Sequence, residues 1–309
     1  MSAVVPAEPL WQISGAQTRQ GRRLWPAEPL TVAIPPGRVA VLGFSGAGKT
    51  SLLNLLAGFI PAERGSIRGP AKLAWVPQNH GLWMAHTVLE HLTLAGASPN
   101  ESQILLQQFD LADRALSRAD TLSIGEGARL AVARALAQNA PVLVMDEPLA
   151  HVDTARAGKY WQAIRERVAR SDASVVLATH QPELALAEAD QAICLRDGNV
   201  VFDGPMPILY ETPATPELAS FLGPANWVTP AEARLWLGAE WAAARCIRPE
   251  RLSMEPSAAG FPVVASRFMG SYAETELRSP LGETRLFVHR PVSALPIGAR
   301  VSIQEVLRA

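Results

Sequence analysis

At 309 residues, 48% of them apolar, the chain can bury an ordinary core and has room for one large domain and one smaller one. Its 28 Lys and Arg balance 29 Asp and Glu to a net charge of −1, which excludes the broad basic footprint of a nucleic-acid or anionic-lipid binder. Cys194 and Cys246 are too few for a disulfide framework and lack metal-ligand spacing, no secretory pattern opens the sequence, and no run of about 18 apolar residues occurs, so the sequence predicts a soluble chain in a reducing cytoplasm, where any membrane role needs a partner.

In chain order, the first strong strand signal is Arg38–Leu42, entered through the turn Pro35-Pro36-Gly37 and left through a glycine-rich loop. A helix over 49–57 follows, with Gly58 as its stop. Between 79 and 138 the pattern turns helical and rich in Ala and Leu, as expected of a helical insertion into an α/β core. Residues 141–145 and 174–179 are continuous apolar runs of strand length, separated by a helical stretch through 155–170; such runs suit parallel strands covered on both faces. Residues 195–204 read as a hairpin turning at Asp197-Gly198. After about Gly223 glycine and proline punctuate shorter strands, and 263–306 reads as all-β. The expected fold class is therefore α/β over 1–223, followed by a small all-β domain over 224–309, and the Gly, four residues, Gly-Lys-Thr spacing of residues 43–50 makes the α/β part a P-loop NTPase core.

The chemistry begins at Gly43-Phe44-Ser45-Gly46-Ala47-Gly48-Lys49-Thr50, which has the phosphate-loop spacing and sits between a strand and a helix, as its mechanism requires. The loop backbone, with Ser51 just beyond it, can turn successive N–H groups toward phosphates at a helix N-terminus already biased for anions. Lys49 is placed to reach the β and γ phosphates of ATP, and the Thr50 hydroxyl to ligate Mg2+. At the end of the apolar run, Asp146 and Glu147 supply adjacent carboxylates, Asp146 for the magnesium shell and Glu147 to polarise the attacking water. Five of the six histidines (His80, His86, His91, His151 and His289) read as packing or surface residues.

Between these two motifs stands Leu122-Ser123-Ile124-Gly125-Glu126, followed by a helix through Arg129 and Arg134. Together with Gln78 after Val76-Pro77, the loop through Asp153 after the carboxylates, and His180 after Ala178-Thr179, it resembles the ATP-binding-cassette (ABC) ATPases over residues 10–223. That resemblance implies that Gln78 senses Mg2+ and the attacking water and that His180 touches the γ phosphate. It also implies that Ser123 and Gly125 contact the γ phosphate held by the other subunit of a homodimer, with Asp153 at the seam. The sequence departs from the family's Leu-Ser-Gly-Gly-Gln signature at Ile124 and Glu126 and has Ala150 where serine is common. Gln20 stands where the adenine-stacking aromatic is expected, while Trp11 and Trp25 read as packing residues.

The C-terminal residues, Arg248-Pro249-Glu250 above all, resemble the extension of bacterial importer ATPases that ends in a transport-associated OB-like (TOBE) barrel. The function this implies is an importer ATPase of the polyamine, ferric-iron, sulfate or phosphonate type, peripheral at the cytoplasmic face of the inner membrane. Its partners would be integral-membrane permease subunits and, indirectly, a periplasmic solute-binding protein, with no nucleic acid; the permease contact is expected around Trp83 and Met84. The rival reading is a soluble cassette ATPase acting on nucleic acid or ribosomes, although such proteins usually carry two cassettes or coiled-coil insertions and this chain has one cassette and neither insertion. A GTP-binding switch is disfavoured because no Asn-Lys-x-Asp motif occurs.

Overall fold

The computed structural model describes residues 8–20, 23–290 and 294–306. The chain divides into two compact units, Met1–Pro205 and Met206–Ala309. The first opens on the antiparallel strands β1 (Trp11–Gln20) and β2 (Arg23–Ile34), then β3 (Arg38–Leu42), the phosphate loop and α1 (Lys49–Leu56). Next come β4 (Arg64–Arg68), which pairs with β1, then β5 (Ala74–Val76) and the helices α2 (Val88–Leu94), α3 (Pro99–Gln108) and α4 (Ile124–Ala137). β6 (Val142–Asp146), α5 (Thr154–Ser171), β7 (Ser174–Ala178), α6 (Pro182–Glu188) and the hairpin β8 (Gln191–Arg196) to β9 (Asn199–Pro205) complete the unit.

Six strands form the central sheet in the order β5-β6-β7-β3-β8-β9, parallel from β5 to β8 with β9 as an antiparallel edge. The apolar runs are buried on both faces, and their twofold alternation feeds two separate cores. Leu143, Met145, Val175 and Leu177 pack with Val88, Leu92, Leu105 and Leu130 of the helical segment, so the insertion shares a core with the sheet. Val142, Val144, Val176 and Ala178 point the other way, against α1 and the β1–β2 pair.

The second unit holds α7 (Met206–Glu211), α8 (Pro216–Phe221), β10 (Asn226–Val228), β11 (Arg245–Ile247), β12 (Leu252–Phe268), β13 (Ala273–Arg278), β14 (Thr284–His289) and β15 (Arg300–Glu305). Its sheet runs β14-β13-β12-β15; the long β12 pairs with β15 through its first half and with β13 through its second, the register breaking between Pro256 and Phe261. The result is an antiparallel half-barrel, since among the described residues β14 and β15 do not pair with each other. Trp236 fills it, its ring 4.7 Å from Phe261 and 5.4 Å from Phe287.

The sequence sets the change of domain after 223, whereas the compact units part after Pro205. Arg248 supplies the physical reason. Its Nε donates to the carbonyl of Tyr210 (2.8 Å) and its Nη1 to that of Ala219 (3.0 Å), which ties α7 and α8 to the β-rich unit.

Candidate functional site

Parallel pairing brings the candidate residues to one edge. Val41 and Asp146 both pair with Ala178, and Val76 pairs with Met145, so β3, β5, β6 and β7 end level and their following loops open on the carboxyl side of the sheet, where open α/β folds bind ligands. The phosphate loop follows β3, Gln78 lies exposed two residues past β5, Glu147 follows β6, and His180 lies two residues past β7.

The phosphate loop is shaped by its glycines. Gly43 (φ 150) and Gly48 (φ 102) hold backbone conformations that favour glycine. A Cβ at Gly43 would stand 2.5 Å from the Leu195 carbonyl oxygen, and one at Gly48 would stand 2.2 Å from the Trp25 ring. Phe44, Ser45 and Gly46 are exposed, Ala47 is buried and takes a hydrogen bond on its carbonyl from Gly198 N–H (3.0 Å), and Thr50 and Ser51 follow Lys49 in the first turn of α1. Lys49 curls its ammonium back to the carbonyls of Gly43 (2.8 Å) and Phe44 (3.2 Å). Burial lowers the Lys49 pKa, while the Glu147 and Asp146 carboxylates pull against that shift.

Asp146 is 1% exposed, and among the described residues its Oδ2 has no hydrogen-bond partner. Burial raises its pKa; the hydrogen bond with the Thr50 side chain and the charge of Lys49 oppose the rise. A buried carboxylate oxygen without a partner, beside a hydroxyl, is the donor chemistry of a hard divalent cation, and these residues fit Mg2+. Glu147 is bonded at both carboxylate oxygens: His180 Nδ1 lies 2.7 Å from Oε1, and Thr179 Oγ1 donates to Oε2 at 3.5 Å. The Glu147 backbone is left-handed (φ 49), and its N–H donates to Ala178 (3.0 Å).

Ser123 and Gly125 lie at the N-terminus of α4 within the insertion, where a Cβ on Gly125 would stand 3.1 Å from the His151 carbonyl oxygen in the loop after Glu147. Ser123 caps the helix: its hydroxyl accepts from Glu126 N–H (3.3 Å) and donates to Glu126 Oε2 (2.8 Å). Arg114 Nε adds a third contact, to Glu126 Oε1 (3.1 Å). The Ser-x-x-Glu spacing announces this capping box in the sequence. Ile124 is 65% exposed. Asp153 caps α5, accepting from Ala155 N–H (3.0 Å). The Gln20 side chain lies outside the described residues. Trp25 packs against the core beneath α1 as expected, and its position over Gly48 is the feature that sequence reasoning missed.

Residues 27–150 match the family described as ABC transporter. The chain is 30% identical to the Fe(3+) ions import ATP-binding protein FbpC 1 of Rhizobium meliloti, over 85% of each chain. The chain belongs to the ABC transporter family. FbpC of Brucella melitensis is likewise 30% identical to this ABC ATPase, over 89% of this chain and 90% of that protein. A solved structure described as the ATP binding subunit of an ABC transporter shares the fold at a TM-score of 0.58 with 24% identity, covering 65% of this chain and 91% of that one. As an ABC ATP-binding subunit the protein binds ATP and hydrolyses it, coupled to transport. Among the described residues no helix is long and apolar enough to cross a membrane.

Proposed function

We propose that this ABC ATPase energises a bacterial ferric-ion importer. It would work as a homodimer on the cytoplasmic face of the inner membrane, under separate permease subunits fed by a periplasmic binding protein. The observation that carries this reading is likeness along both units to two relatives named for Fe(3+) import, each 30% identical over 85% or more of this chain.

The roles follow from the site. Lys49 would exchange the Gly43 and Phe44 carbonyls for the β and γ phosphates, a stronger charge-assisted contact for a compact ammonium. Thr50 and Asp146 would hold Mg2+, with Gln78 reaching the same shell; the ion neutralises phosphate charge when bound. Glu147 would take the proton of the attacking water, while His180, in contact with its Oε1, would orient the carboxylate and meet the γ phosphate. Ser123 and Gly125 of one protomer would complete the site of the other.

The permease would dock in a cleft of about 800 Å³ whose lining includes Phe59, Trp75, Trp83 and Arg134. Trp83 is held there as a platform: its ring stacks on His91 at 5.0 Å and lies 5.0 Å from the Arg134 guanidinium, yet it stays 41% exposed beside a 56% exposed Met84. Such apolar surface suits an interaction site.

The test is ATP turnover in liposomes containing the permease subunits that co-purify with this chain. Its binding protein would be loaded with Fe3+ or, separately, with a polyamine, sulfate or a phosphonate. Stimulation by the ferric form alone is expected; stimulation by another solute would reassign the cargo, and no stimulation by any would remove the chain from importers.

A further inference from the structure

The second unit carries a cleft of about 640 Å³ that ATP chemistry does not use. Tyr210, Glu250, Ser271, Tyr272 and Arg290 line it, with prolines and a valine between them. Its polar groups are of opposite sign. Glu250 and Arg290 are both exposed, and among the described residues neither belongs to an ion pair.

The wall that presents Glu250 is fixed. Arg248 is 2% exposed, stacks its guanidinium 4.2 Å from the Tyr210 ring, and donates to the carbonyls of Tyr210, Ala219, Gly223 and Pro224. Tyr210 in turn donates its hydroxyl to Glu250 Oε1 at 3.1 Å. Burial, with the Glu250 charge adding to it, raises the Tyr210 pKa, so the phenol stays a neutral donor. Arg248 Nη2 is buried without a hydrogen-bond partner among the described residues, so the guanidinium places positive charge behind the wall.

A simple cation entering this cleft would meet Arg290 and the field of Arg248. A simple anion would meet Glu250. A molecule bearing both charges satisfies both residues, and the Tyr272 phenol adds a favourable surface for its cationic end, Tyr210 being taken up by Arg248. The volume is that of an ordinary small-molecule site. We propose that this cleft binds a small zwitterion, its ammonium against Glu250 and the Tyr272 ring, and its carboxylate against Arg290 and the Ser271 hydroxyl. The inference stands on the second unit alone and does not depend on the cargo of the transporter.

Calorimetry and thermal unfolding of the full chain test it. The probes are glycine, γ-aminobutyrate and 6-aminohexanoate, which lengthen the distance between the two charges, with butylamine and butyrate as single-charge controls. At least one zwitterion is expected to bind about tenfold more tightly than either control, since losing one good charge contact costs on the order of a factor of ten. Glu250→Gln and Arg290→Gln should each weaken that binding by about the same factor, with the unliganded unfolding midpoint and ATP turnover unchanged. Three results overturn the proposal: no zwitterion binding at millimolar concentration, a single-charge control binding as tightly as the best zwitterion, or undiminished affinity in both variants.

Discussion

Glu147 sits at φ 49, a left-handed conformation that costs a non-glycine residue about 1–2 kcal/mol. The strain is offset by the Ala178 hydrogen bond and by both carboxylate contacts, and it turns the carboxylate toward His180. Glu147→Gln keeps the shape and an acceptor for His180 while removing the base. ATP affinity should stay nearly intact and turnover fall by roughly a hundredfold or more; turnover at the wild-type rate in the purified variant would contradict the role. Lys49→Ala removes a point charge from the triphosphate site itself, so calorimetric titration should show weaker ATP binding, and unchanged affinity would take Lys49 out of the phosphate-loop role. Residues contiguous in sequence, such as 43–50 and the Asp146-Glu147 pair, were legible because their spacing carries the chemistry. The contact between Glu147 and His180 was not, because it exists only after β6 and β7 pair in parallel register.

At the scale of elements, the buried parallel strands announced themselves as continuous apolar runs, and Arg38–Leu42 matches its strand. β1 and β2 did not. Gly15 (φ 61) and register shifts interrupt β1, and Pro26 and Pro29 interrupt β2, so neither strand shows a clean alternation. α4 carries a sharper lesson. Ile124, 65% exposed at the first helical position, does not pack into the insertion. Its β-branched side chain instead stands on the surface between Ser123 and Gly125, where a partner's phosphate would approach, and a misplacement of about an ångström can cost roughly a hundredfold in rate. Ile124→Gly should therefore raise steady-state hydrolysis or ATP-driven dimerisation without altering nucleotide affinity of the monomer. No core contact is lost, so the stability cost should be limited to the helix propensity of glycine, about 1 kcal/mol. Equal or lower activity in the folded variant would rule out a steric role for Ile124.

One shared core joins the nucleotide edge to the helical insertion, since α2 and α4 pack on the same cluster as β6 and β7. The sequence legibly separates an ATPase from a β-rich tail, but not the point of division, because Arg248 reaches back to α7 and α8 through backbone carbonyls that leave no sequence pattern. In a homodimer that closes on ATP, the Glu147→Gln variant should accumulate as an ATP-dependent dimer in size-exclusion chromatography, and a monomer at saturating ATP would count against closure. The cleft gives the last expectation. Trp83 is braced by His91 and Arg134, which fixes its exposed face, and Met84 adds an adaptable apolar contact next to it. Neither side chain belongs to the catalytic edge. Replacing both by glutamine should spare basal ATP hydrolysis, with a modest fall in the unfolding midpoint from the lost stacking, about 0.5–1.5 kcal/mol. Solute uptake, and the stimulation of hydrolysis by the loaded binding protein, should be lost because the permease no longer finds its apolar seat. Uptake at the wild-type rate would move the permease contact away from Trp83 and Met84, whereas loss of basal hydrolysis together with uptake would show that the pair supports the catalytic unit itself.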